Sequence, residues 1–198
     1  MTIQQMLKSW GVIFPEGNND HLYLPEYLLQ KYPSRCYFAD FFPNPISKSY
    51  AYKHTQIESK IYDLICNRMY RAVLKLWVYD NLYFESELLS SRMLFKKYYR
   101  RRKLLKKLTT NCIEKEEDLR TLMHLSRNNV IYIVLAFEKN HIVIIPSWSC
   151  FFLFVENDLA LPLIKDALGA EGLYLRKASN QGLIRGRFSD WQNSDIMI

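Results

Sequence analysis

Four histidines, His21, His54, His124 and His141, are the side chains best suited to general acid–base chemistry near neutral pH in this 198-residue chain. They are scattered, and an isolated histidine is more often structural or solvated than catalytic. The cysteines, Cys36, Cys66, Cys112 and Cys150, lie far apart without a Cys-x-x-Cys pair. They point to buried, reduced thiols and to neither a zinc site nor a disulfide framework. Gly169-Ala-Glu-Gly172 and Gly182-Leu-Ile-Arg-Gly186 lack the Gly-x-x-x-x-Gly-Lys-Ser/Thr pattern of a phosphate loop and read as turns. The carboxylates of the C-terminal half do not form the acidic pair plus lysine of a metal-dependent nuclease. The expectation is a protein that is not an enzyme, with no cofactor and no metal.

One stretch stands out by charge. Nine basic residues and no acidic one fall between Arg92 and Lys107. The chain carries 27 basic and 20 acidic residues, so the remainder holds 18 against 20 and has a balance of −2. The positive charge of the protein is therefore a local feature. At helical spacing Arg92, Lys96, Arg100, Lys103 and Lys107 share one face, while Leu94, Tyr98, Leu105 and Leu108 form the opposite stripe. A basic amphipathic helix is expected over 86–109, with Ser86 as N-cap and Glu87 in its first turn. Its candidate binding residues are Arg92, Lys96, Lys97, Arg100, Arg102, Lys103, Lys106 and Lys107. Arg101 falls in the apolar stripe and would snorkel or meet a carboxylate, with Glu117 or Asp118 as candidates. Nucleic acid, a membrane surface, an acidic partner or an acidic segment of the same chain are the ligands such a ridge suits.

The elements that must carry this ridge follow from the rest of the pattern. The length suits one domain, and 49% apolar residues with 14 tyrosines indicate a folded chain. The N-terminus, Met1 to Trp10, lacks the features of a signal peptide, and the apolar stretch 130–155 is interrupted twice, so no bilayer-spanning run is present. A cytoplasmic location is expected, peripheral to the inner membrane at most through partners.

Residues 1–54 read as a strap of short helices and irregular chain, because Pro33, Pro43 and Pro45 exclude a long helix. Thr55-Gln-Ile-Glu58 has capping-box spacing, and Ile61, Leu64, Ile65, Met69, Ala72, Val73, Leu76 and Trp77 follow at helical spacing. A helical core is expected over 55–127, its third helix capped at Asn111-Cys-Ile-Glu114. The four acids Glu114, Glu116, Glu117 and Asp118 would neutralise part of the ridge if that helix folds back on it. From 130 to 188 the pattern becomes an apolar hairpin (130–137 and 141–145), a segment 150–155 of either type, a helix from Asp158 to Leu168, and a C-terminal edge. The fold expected is mainly α with a small β-hairpin, the alternative being α+β, in a single domain.

Val12-Ile-Phe14-Pro15, followed by His21-Leu-Tyr-Leu-Pro-Glu-Tyr-Leu-Leu29, resembles the N-terminal pattern of the sorting-platform accessory proteins of type III secretion injectisomes. The resemblance covers roughly a tenth of the chain. It implies a non-enzymatic cytoplasmic adaptor linking protein subunits of a secretion assembly, with the basic ridge as a docking surface. Two further readings remain open on the residues themselves: a nucleic-acid-binding protein using 92–107, and an immunity or inhibitor-type protein that neutralises a partner.

Overall fold

The runs Val130–Phe137, Ile142–Ile145 and Phe151–Val155 are apolar on successive residues, a pattern that is stable in a strand only when both faces of the sheet are covered. The computed structural model shows this arrangement; it describes residues 2–14, 24–41, 58–88, 112–128, 130–146 and 150–178. Among them the order is α1 (Ile3–Ser9), α2 (Leu24–Lys31), β1 (Cys36–Asp40), α3 (Glu58–Trp77), β2 (Leu82–Leu88) and α4 (Glu116–Arg127). Then come β3 (Ile131–Phe137), β4 (Ile142–Pro146), β5 (Cys150–Val155), α5 (Leu161–Gly169) and β6 (Tyr174–Lys177). The six strands form one antiparallel sheet in the order β2-β3-β4-β5-β1-β6.

Alternation along each strand divides the core in two. Tyr37, Ala39, Leu82, Phe84, Ile133, Leu135, Ile144, Phe151 and Leu153 face α3, α4 and α5. Cys36, Phe38, Tyr132, Val134, Val143, Ile145, Phe152 and Phe154 face α1 and α2. The sheet is thus the middle layer of three. Phe152 and Phe154 are fully buried, and each such ring contributes about 1.5–3 kcal/mol through removal from water.

The expectation of a mainly α fold is overturned: the chain is α+β, built on a six-stranded sheet. Two strands escaped the sequence reading. Cys36–Asp40 was expected within an irregular strap, yet after the turn at Pro33–Arg35 it becomes β1, paired with β5 on one side and β6 on the other. Ser86 and Glu87 were expected to open a helix, but they lie in β2, opposite Ile133 and Tyr132 of β3. The third helix starts later than expected, with Lys115 at its N-cap position. The capping residues Thr55 to Ile57, and residues 183–188 of the expected C-terminal edge, lie outside the described residues.

The hairpin over 130–145 is present as β3 and β4, and 150–155 is a strand. The core helix is present as α3, with Ile65, Met69, Ala72, Val73 and Leu76 buried. Among the described residues no helix is long and apolar enough to cross a membrane.

Candidate binding surface

The eight candidate residues of the basic stretch, Arg92, Lys96, Lys97, Arg100, Arg102, Lys103, Lys106 and Lys107, lie outside the described residues, as does Arg101. What the fold defines is where the chain leaves and where it returns. β2 ends at Leu88. After 23 residues, Cys112 pairs antiparallel with Tyr83, and the Ile113 amide donates to the Leu82 carbonyl at 2.7 Å. Ile113 is buried, so the returning chain is anchored. Exit and return thus lie on one edge strand, five residues or about 17 Å apart.

Just past the return point, Glu114, Glu116 and Glu117 are exposed, and Asp118 is part-buried. Glu116 is engaged within the fold: Tyr70 Oη donates to its Oε1 at 2.8 Å, and Arg120 Nη2 does so at 2.8 Å. The Tyr70 hydrogen bond, aided by Arg120, holds the Glu116 carboxyl below the usual carboxylate range.

The other polar side chains form structural clusters that sequence spacing did not disclose. Asp80, buried between α3 and β2, accepts from the amides of Asn81 (2.6 Å), Lys139 (2.8 Å) and Asn140 (2.8 Å) and from Asn140 Nδ2 (2.8 Å). It therefore holds the β3–β4 turn against the start of β2. Glu171, in the turn after α5, is buried and receives Arg71 Nε at 2.7 Å and Lys75 Nζ at 2.5 Å from α3. Burial pushes its carboxyl upward, but the hydrogen bonds from Lys75 and Arg71 outweigh this and hold it below the usual range.

His141 stands in the β3–β4 turn at φ 52°, stacked on Trp10 with ring centroids 4.7 Å apart. Its Nδ1 lies 3.0 Å from Glu156 Oε2, and Arg35 Nη1 lies 3.6 Å from the other oxygen. His124 sits on α4, and its carbonyl accepts from the Asn128 amide. His21 and His54 lie outside the described residues. No disulfide joins the four cysteines. Burial pushes the thiols of Cys36 and Cys150 up to about 12, which keeps them protonated and poor nucleophiles at neutral pH. Among the described residues no group of three histidine, cysteine or carboxylate side chains is placed to hold a metal ion.

The segment that resembles the sorting-platform proteins is used for packing where it is described. Val12, Leu24, Leu28 and Leu29 are buried in the α1–α2 layer, and Phe14 stacks on Tyr27 at 5.4 Å. The Tyr27 hydroxyl donates to the Ile13 carbonyl, and the Ile13 amide donates to Tyr32 Oη at 2.9 Å. Residues 15–23 lie outside the described residues. No family model, curated protein or solved structure matches this chain.

Proposed function

We propose that this protein is a non-enzymatic adaptor that acts through protein contacts, docking an acidic protein surface on the basic stretch 92–107. The observation that carries this reading is the separation of charge from scaffold. Nine cations sit in one 16-residue stretch, and the remainder of the chain has a balance of −2. That stretch belongs to an excursion whose two ends are tied to the edge strand β2. A three-layer scaffold whose edge strand holds both ends of a cationic stretch suits capture of an acidic surface, because opposite potentials steer the encounter and fix its register. The resemblance of residues 12–29 to the accessory proteins of type III sorting platforms supplies the setting: a cytoplasmic component of a bacterial secretion assembly.

The test compares the native protein with a Lys96→Glu, Arg100→Glu, Lys103→Glu variant that keeps the native circular dichroism spectrum. Both are assayed against an acidic polypeptide such as poly-glutamate and against duplex and single-stranded nucleic acid over a salt series. Binding to the acidic polypeptide by the native protein alone supports the adaptor. Selective nucleic-acid binding that falls steeply with salt and is lost in the variant overturns it in favour of nucleic-acid recognition. Failure to bind any of these probes overturns the assignment of a docking role to 92–107.

A further inference from the structure

On α3, Arg68, Arg71 and Lys75 stand at i, i+3 and i+7, so they share one face of the helix. Arg71 and Lys75, 49% and 41% exposed, both bind Glu171. Arg68 is part-buried and has no carboxylate partner among the described residues. Its guanidinium is instead held in place by shape: it lies 5.1 Å over the Phe41 ring and packs against the backbone of Gly172. A Cβ at position 172 would come within 2.8 Å of Arg68 Nη1, and the φ of +66° disfavours a side chain there in any case. The fold therefore keeps space for this guanidinium without pairing its charge with a carboxylate among the described residues. Two cations share one carboxylate and the third has none, so among the described residues this face of α3 carries a surplus of two positive charges. Like charges at this helical spacing repel one another, and an anion bound between them relieves that repulsion.

The geometry points to an oxyanion site on α3, centred on Arg68 and flanked by Arg71 and Lys75, that takes a phosphate group. A dianionic phosphate balances the surplus, and the planar guanidinium fork matches phosphate oxygens in a bidentate pair. The site is separate from the stretch 92–107 and does not depend on the role proposed for it.

Isothermal titration calorimetry and thermal unfolding of the full chain, at pH 7.5 and constant ionic strength, test this with inorganic phosphate and with phosphoserine as probes. The expected result is saturable binding of one phosphate group per chain, with a midpoint of unfolding that rises as the probe is added. Arg68→Met keeps an apolar stem over Phe41 and is expected to weaken binding about tenfold or more, the scale of one charge-assisted pair. In chloride alone that variant unfolds at the same or a higher temperature than the native protein, because it relieves the repulsion. An arginine needed only for structure would lower it. Arg68→Lys, which retains charge without the fork, binds at an intermediate level. The Lys96→Glu, Arg100→Glu, Lys103→Glu variant keeps the phosphate response. Binding by phosphoserine but not inorganic phosphate assigns the site to phosphate esters, and the converse to the free anion. The proposal is overturned if neither probe binds, if Arg68→Met responds as the native protein does, or if the response is lost with the 92–107 charges.

Discussion

Asp80 and Asn140 are 60 residues apart in sequence, yet one carboxylate oxygen of Asp80 accepts from both the main-chain amide and the side-chain amide of Asn140, each at 2.8 Å. The second oxygen accepts from the amides of Asn81 and Lys139. One buried acid thereby ties the end of α3 to the β3–β4 turn, fixing where β2 begins its pairing with β3. A buried acceptor shared by several donors is costly to remove, because each donor is then left without a partner. Asp80→Ala is expected to lower stability by about 2–4 kcal/mol. Equilibrium denaturation in urea checks this, and a loss below about 0.5 kcal/mol would show that water replaces the carboxylate without cost.

Glu171 links α3 to the turn before β6, and its carboxyl is held below the usual range in the folded state. The direction of the pH effect follows. Above the ordinary carboxylate pKa both folded and unfolded forms are ionised, and the stabilisation is fully present. As pH falls through that value, the unfolded chain takes up the proton first, and stability declines until the folded-state value is passed. Glu171→Gln should therefore flatten the acid limb of the stability curve between about pH 5 and pH 3. Thermal unfolding across that range would read it, and an unchanged acid limb would assign the acid sensitivity to other carboxylates.

His141 holds φ at 52°, a conformation that a β-branched residue adopts only at a cost of about 1–2 kcal/mol. The ring also stacks on Trp10 and meets Glu156. His141→Val should be more destabilising than His141→Gly, although valine is the better strand residue elsewhere. Chemical denaturation of the two variants decides this, and the reverse order would show that the turn relaxes to negative φ.

The thiols of Cys36 and Cys150 are pushed up to about 12 by burial. Under native conditions at pH 8 they should be alkylated by iodoacetamide at least about tenfold more slowly than in denaturant, since only the thiolate reacts. Mass spectrometry of labelled peptides would follow this directly. Rapid native labelling at Cys36, the buried one of the two, would mean that the β1–β5 pairing opens locally.

What the amino-acid sequence determined by itself was the set of features that depend on neighbours along the chain. The periodic apolar positions of α3, the β-branched runs of β3 and β4, and the concentration of positive charge between Arg92 and Lys107 are all of this kind. Local spacing decides them, because helix faces and strand alternation repeat within a few residues. The tertiary structure alone decided the fold class. β1 is a five-residue stretch without a strong alternating signature, and it is a strand because β5 and β6, more than 100 residues away, supply its hydrogen bonds. β2 reads as a helix start from Ser86 and Glu87, but pairing with β3 satisfies its backbone instead. The clusters around Asp80, Glu171 and Arg68 were hidden for the same reason. Their partners are brought together by sheet order and helix packing, which no spacing within one segment encodes.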